Sequence, residues 1–311
     1  MRHTSDYNQV ALTNRIPSDH QSQAKWEKNY TFELYYDGDK MMMWYRTGAL
    51  LVALVLIATN VDGQHNSTEI AEGPLRIRVL CYNIHHGEGI DRKLDLARIA
   101  GVIQSVRPDL VSLQEVDRGT QRTNQVDQPA ELGRLTDMEA VFGGNIRFQG
   151  GDYGNAVLSR FPIRQHQNWL LPRFDEGEQR GVLEVEIELP DDFGTMRFLA
   201  THLDHRRADR ERIASAQWIN NRITEGDNQP TVLAGDLNAT PDSPTLREFE
   251  KVWTRANEEI LPTFPVVEPT RQIDYILFHP AERWRVVEVY VLDEAVASDH
   301  RAIFAELELR R

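Results

Sequence analysis

Five apolar runs in this 311-residue chain carry, at one end, a side chain able to ligate a hard cation or move a proton. Asn83 follows Val79-Leu80-Cys81-Tyr82, and Glu115 follows Val111-Ser112-Leu113-Gln114. His202 closes Phe198-Leu199-Ala200-Thr201, Asp236 and Asn238 close Val232-Leu233-Ala234-Gly235, and Asp299 and His300 stand just before Ile303-Phe304. Carboxylates and amide carbonyls are oxygen ligands of the kind Mg²⁺ and Mn²⁺ take, most readily where a phosphate supplies further oxygens. Imidazoles beside them carry protons or polarise a phosphate. Any one of these residues also has a plainer reading, as a turn former or a solvated cap. Asp236-Leu237-Asn238 suits an Asx turn, and Asp299-His300 suits a loop cap. Five together favour chemistry, because strand tips along one sheet edge converge. The residues by themselves point to metal-assisted hydrolysis and stop there.

The elements that must bring these tips together can be read from periodicity. A strand is expected over Leu75–Tyr82. A helix over Leu94–Val106 places Leu96, Ile99, Ile103 and Val106 on one face, with Pro108 as its stop. Leu110–Leu113 reads as a short strand that delivers Glu115 to its C-terminal edge, and Glu131–Phe142 reads as a second helix. Strands are expected over 155–158, 163–171, 181–189 and 196–201, then the longest helix over Arg206–Ile223 and a strand over Thr231–Ala234. Strands over 272–278, 285–292 and 302–309 complete the chain. This mixture excludes all-helical and all-β folds and suggests two sheets flanked by helices.

Composition is that of a globular protein, 41% hydrophobic and 27% charged, with a formal net charge of -13. That charge argues against a stable partnership with long nucleic acid, which needs a basic footprint. The single cysteine, Cys81, excludes an intramolecular disulfide and reads as a buried strand residue. Residues 1–42 are polar and aperiodic, and the apolar run Ala49–Ala58 is too short to span a bilayer. With Arg46 before it, the 43–63 segment has the form of a signal peptide, and a start at Met41, Met42 or Met43 would leave 1–42 as an extension outside the functional chain. A membrane tether over 48–59 and an apolar helix packed on the domain are the alternatives. Residues 64–74 then read as a linker to a catalytic domain over 75–311, and the product is expected to be secreted or periplasmic.

From about Leu75 to Leu309 the sequence closely resembles the endonuclease/exonuclease/phosphatase superfamily, which includes DNase I, abasic-site endonucleases, neutral sphingomyelinases and inositol-polyphosphate 5-phosphatases. The resemblance is carried by Tyr82-Asn83-Ile84-His85-His86-Gly87, Leu113-Gln114-Glu115-Val116, and the Gly154-to-Ile163 segment with Asn155-Ala156-Val157-Leu158-Ser159-Arg160-Phe161-Pro162. It continues through Thr201-His202-Leu203-Asp204, Ala234-Gly235-Asp236-Leu237-Asn238-Ala239-Thr240-Pro241, Gln272-Ile273-Asp274-Tyr275-Ile276-Leu277 and Ser298-Asp299-His300. The resemblance implies a single-domain, four-layer α/β sandwich, with two mostly antiparallel, mixed sheets face to face and helices outside. It implies Mg²⁺, with Mn²⁺ as a substitute, at Glu115, Asn83 and Asp299. Asp236 and Asn238 would orient and activate water, His202 would donate to phosphate, and His300, oriented by Asp274, would act as base or charge stabiliser. Asn155, Arg180 and Phe264 would border the substrate, with Tyr153 beside Asn155 serving there or in packing.

The implied reaction is in-line attack of water on phosphorus. The expected partner is a phosphate ester, whether small molecule, lipid headgroup or nucleic acid, with a phosphodiester first. A lipid or inositol-phosphate hydrolase is the competing enzyme reading, and an inactive binding protein of the same fold is the reading from outside enzymes. The locally basic 203–210 segment suits extra phosphates or, slightly better, a solvated helix start.

Overall fold

The computed structural model describes residues 73–311 apart from Asp175 and Asp227, together with the backbone of three short strands nearer the N-terminus. Two compact units are present, residues 1–67 and 68–311. In the first, β1 (Phe32–Asp37), β2 (Lys40–Thr47) and β3 (Leu50–Leu54) pair antiparallel in that order. Part of the apolar run is therefore extended rather than helical. A short run of Leu, Val and Ile suits either state, and periodicity does not separate them. The expectations for the N-terminal extension and the linker fall mostly outside the described residues. No helix among the described residues is long and apolar enough to cross a membrane.

The second unit begins with β4 (Leu75–Asn83), α1 (Leu96–Ser105), β5 (Leu110–Arg118), α2 (Gln128–Thr136), β6 (Glu139–Phe148) and β7 (Gly151–Ser159). It continues with β8 (Ile163–Leu170), β9 (Gly181–Glu188), β10 (Thr195–His202), α3 (Arg210–Thr224), β11 (Thr231–Asp236) and α4 (Pro244–Phe249). The last strands are β12 (Thr254–Arg255), β13 (Asp274–His279), β14 (Trp284–Val291) and β15 (Ile303–Leu309). One six-stranded sheet has the order β14-β15-β4-β5-β7-β6 and the other β12-β13-β11-β10-β9-β8. Each is antiparallel except at its centre, where β4 pairs parallel with β5 and β10 with β11. A parallel pair needs a crossover, and α1 and α3 supply the two.

Strand pleating sorts the side chains into layers. Ile77, Val79 and Cys81 of β4 meet Phe198, Ala200, Val232, Ala234 and Ile276 of the other sheet in a core between the sheets. The intervening Leu80 and Tyr82 face Ile99, Ile103 and Leu132 of α1 and α2. On the far side, Leu199, Leu233 and Leu277 pack against Ile219, Leu246 and Phe249 of α3 and α4. The layers run helix, sheet, sheet, helix. Strands buried on both faces read as continuous apolar runs, and each fully buried aliphatic side chain contributes about 1.5–3 kcal/mol.

Three expectations are corrected. The helix expected over Glu131–Phe142 is α2, which ends where Asp137 turns left-handed at φ 56, and residues 139–148 form edge strand β6 instead. Glu115 does not stand at a strand tip. β5 runs past it to Arg118, with a register shift between Leu113 and Val116 that leaves Glu115 at φ 58 on a bulge. A bulge re-aims one side chain without ending the strand, a recurrent device beside active sites. The longest helix also starts later than expected, at Arg210, because Arg206 and Arg212 tie the preceding turn to Asp204.

Candidate active site

Both parallel strand pairs end at the same edge of the sandwich, so their tips meet across the two sheets. Asp236 closes β11 with its side chain buried, and its Oδ2 is the meeting point. Asn83, at the end of β4, donates from Nδ2 to that oxygen at 3.2 Å, while His202 Nε2 lies at 3.4 Å and His300 Nε2 at 3.8 Å. The other carboxylate oxygen accepts from the backbone N–H of Asn238 at 2.9 Å, the bond expected of an Asx turn. Asn238 itself is left-handed at φ 47, and its amide nitrogen sits 3.1 Å from His202 Nε2 and 3.1 Å from the Leu203 carbonyl. The turn reading and the functional reading of Asp236-Leu237-Asn238 therefore describe one structure.

Burial pushes the Asp236 carboxyl up to about 7, reinforced by the neighbouring Asp274 and opposed by His300 and the two hydrogen-bond donors. His300 goes the other way. Burial opposes its charge, but the Asp274 carboxylate, 2.9 Å from Nδ1, outweighs that together with Asp236 and Asp299, and raises it to about 10. His202 is held well below the usual imidazole range by burial, aided by the Arg180 charge. At neutral pH the edge thus presents one imidazolium, one neutral imidazole and a carboxyl near its midpoint. Environments that split titratable groups in this way mark acid–base roles.

Asp274 starts β13 fully buried and accepts from the Thr263 hydroxyl at 2.6 Å as well as pairing with His300. The Phe264 ring lies 4.8 Å from the His300 ring, so Phe264 packs on the histidine from the flank. The metal-side candidates are linked across β4, β5 and the loop before β15. Asn83 Nδ2 donates to Glu115 Oε1 at 3.2 Å, and the Ser298 hydroxyl donates to the Asn83 carbonyl at 2.7 Å while lying 3.4 Å from Asp299 Oδ1. The Asn83 amide thus lies between Glu115 and Asp236, its nitrogen and oxygen told apart only by their partners.

Arg180 is nearly buried, pairs with Glu178 at 2.9 Å and meets His205 Nδ1 at 3.2 Å. Asn155 ties β7 to β9, donating to the Gly181 carbonyl at 3.1 Å, while its buried Oδ1 has no partner. The Tyr153 ring lies under the Arg122 guanidinium at 5.3 Å. In the 203–210 segment, Arg206 pairs with Asp204 and Glu211, and Arg210 stacks on Phe174, which favours the helix-start reading over a phosphate site. Thr263, Ser298 and His205 were not expected from sequence. Ser298 was within reach as the first residue of Ser298-Asp299-His300, whereas Thr263 and His205 carry no signal beyond adjacency to Phe264 and Asp204. A separate cavity of about 540 Å³ is lined by Trp169, Glu184 and Arg222, where Arg222 pairs with Glu184 and stacks on Trp169.

Two face-to-face mixed sheets, helices outside and this set of carboxyls, amides and imidazoles at one edge define a DNase I-like hydrolase. Residues 80–300 match the model of the Endonuclease/Exonuclease/phosphatase family, and the chain belongs to that family of phosphoesterases and nucleases. It is 29% identical over 248 residues to the protein YbhP of Escherichia coli (strain K12), covering 75% of this chain and 96% of that one. Among solved structures, the endonuclease/exonuclease/phosphatase from Beutenbergia cavernae DSM 12333 superposes with a TM-score of 0.65 at 26% identity, covering 76% of this chain and 72% of that chain. The mannosyl-6-phosphatase of Bacteroides thetaiotaomicron VPI-5482 shares the fold with a TM-score of 0.63 at 20% identity, over 74% of this chain and 99% of that chain.

Proposed function

We propose that the chain is a Mg²⁺-dependent phosphodiesterase that hydrolyses its substrate by direct in-line attack of water. The observation that carries this reading is Asp236 Oδ2, a buried carboxylate oxygen within 3.8 Å of Asn83, His202 and His300, in surroundings that push the carboxyl up to about 7. A general base works best with a pKa close to the working pH. Ionised Asp236 orients the water and takes its proton, with Asn238 fixing the turn that holds the carboxylate. Imidazolium His300, locked by Asp274 and Thr263, lowers the cost of charge building on the nonbridging oxygens, and His202 and Asn238 serve the same phosphate from the other side. None of the described residues forms a separate nucleophile–base pair, so no phosphoenzyme enters the scheme.

The metal-side residues suit a hard divalent cation. Glu115 meets the Asn83 amide and Asp299 the Ser298 hydroxyl, and both carboxylates keep acceptor positions free for a cation among the described residues. Glu115, Asn83 and Asp299 would hold Mg²⁺ or Mn²⁺, which when bound supplies Lewis-acid stabilisation of the phosphate and leaving oxygens.

Arg180, although paired with Glu178, sets positive charge beside His202 and His205, which keeps sugar, inositol and lipid headgroup phosphates in view. The net charge of -13 favours such compact substrates over long nucleic acid. Assays of bis-nitrophenyl phosphate, sphingomyelin, inositol and sugar phosphates, and single- and double-stranded nucleic acids, each with Mg²⁺ and Mn²⁺, test the reading. Turnover of a diester above the corresponding monoester supports it, and monoester-only turnover replaces it with a phosphatase.

A further inference from the structure

The sequence Ile84-His85-His86-Gly87 leaves β4 in a single tight turn, and that turn faces the Glu115 bulge of β5. His85, His86 and Glu115 each offer one ligand atom, and these atoms all lie within 4.8 Å of one another. All three residues are left-handed, at φ 44, 46 and 58, a conformation that costs energy for any side chain other than glycine. The strain is held in place by specific bonds. Ile84 N–H donates to the Gln114 carbonyl at 3.1 Å, and His85 N–H donates to Asn83 Oδ1 at 3.1 Å. Buried Gln128 spans both elements, donating to the His86 carbonyl at 2.7 Å and accepting from Asp117 N–H at 2.9 Å. Gly87, at φ 80, cannot carry a Cβ without approaching Leu96 to 2.9 Å.

The rings are set up as ligands. His85 Nδ1 lies 3.0 Å from the Glu88 carbonyl, which can only accept, so Nδ1 carries the hydrogen and Nε2 presents its lone pair. That is the arrangement by which metal-binding histidines are oriented, one ring nitrogen tied to a backbone carbonyl and the other free for the metal. His86 Nδ1 is buried with no partner. A buried ring nitrogen left without a hydrogen bond carries a desolvation cost that a cation would offset.

We propose that His85, His86 and Glu115 form a second divalent-cation site, selective for a borderline transition ion such as Zn²⁺ and sharing Glu115 with the oxygen-ligand site. Two imidazoles and one carboxylate are the donors such ions take, whereas Mg²⁺ prefers oxygen throughout. Glu115 Oε1 already faces Asn83, and a carboxylate with two oxygens can serve an ion on each side.

The test is Zn²⁺ titration of the full chain by calorimetry at saturating Mg²⁺, with Co²⁺ ligand-field absorption as a second reading of the same site. The parent is expected to take up one Zn²⁺ per chain. His85→Ala and His86→Ala should each weaken that binding by about 100-fold or more, at least the size reached when even an outer partner of a metal ligand is lost. Asp299→Asn should weaken Mg²⁺ binding and leave Zn²⁺ within about threefold of the parent. Zn²⁺ affinity that is unchanged in both histidine variants overturns the site. Should those variants fail to fold, zinc-edge anomalous scattering from crystals of the parent decides: a peak between the two rings supports the site, and its absence there overturns it. None of these readings depends on turnover, so the zinc site and the phosphodiesterase reading can fail separately.

Discussion

Asp236 is a carboxylate that the fold holds against its own charge. Its folded value of about 7 stands above the ordinary 3.8 of an unfolded chain, chiefly through burial. Stability from such a group is fully present below the unfolded value and is lost as pH rises through the folded one. Ionised Asp236 therefore destabilises the metal-free protein at pH 8 by on the order of a few kcal/mol. Asp236→Asn should melt higher than the parent at pH 8 without metal, with the gap closing toward pH 4, even though turnover is lost. Equal melting temperatures at pH 8 would contradict this. His300 is raised to about 10 and loses its contribution over a higher window, from about 6.5 upward through 10. His300→Ala should cut turnover by roughly 100-fold or more while leaving metal affinity near the parent, and Glu115→Gln should lower both together. Asp274→Asn should resemble a milder His300 variant, and combining it with His300→Ala should add little, because Asp274 acts through the ring. Calorimetric Mn²⁺ titration beside steady-state kinetics separates these outcomes. Asp236, His300 and Asp274 were legible because carboxylate and imidazole chemistry recurs in fixed motifs. Thr263 was not, because a hydroxyl outside such a motif finds its partner only through tertiary contact.

Strand ends matter to the site only if neighbouring strands stay in close register. Gly235 precedes Asp236 on β11 and pairs with Thr201, which precedes His202 on β10. A Cβ at Gly235 would lie 2.3 Å from the Thr201 carbonyl oxygen and 2.9 Å from its methyl group. Gly235→Ala must spread the parallel pair where the Asp236 and His202 side chains emerge. It should cost about 1–3 kcal/mol in urea unfolding and a larger proportion of turnover than of substrate affinity. A variant with parental stability and turnover would show that the two strands tolerate separation. The central strands were readable because burial on both faces makes them continuous apolar runs. The bulge at Glu115 was not, since a register shift is a property of two paired strands and not of either alone. Residues 137–142 were misread as helix because Met138, Ala140, Val141 and Phe142 continue the apolar spacing of α2, and the left-handed turn at Asp137 that breaks it carries an ordinary aspartate.

At the scale of the whole molecule, the family match and both six-stranded sheets lie within the 68–311 unit. We further propose that the Ala49–Ala58 run directs export, with the mature chain beginning shortly after Ala58. N-terminal sequencing of the natively produced protein checks this, and a product retaining residues 1–42 would contradict it. In the proposed reaction a divalent cation and Asp236 together drive water onto a phosphate ester. Its most direct test is bis-nitrophenyl phosphate hydrolysis by chelator-stripped protein before and after Mg²⁺ is returned, in the parent and in Asp236→Asn. No turnover is expected without metal, with recovery on adding Mg²⁺ in the parent and loss of at least about 100-fold in Asp236→Asn at the same Mg²⁺ concentration. Turnover that survives metal removal, or an Asp236→Asn protein working at the parental rate, would contradict it.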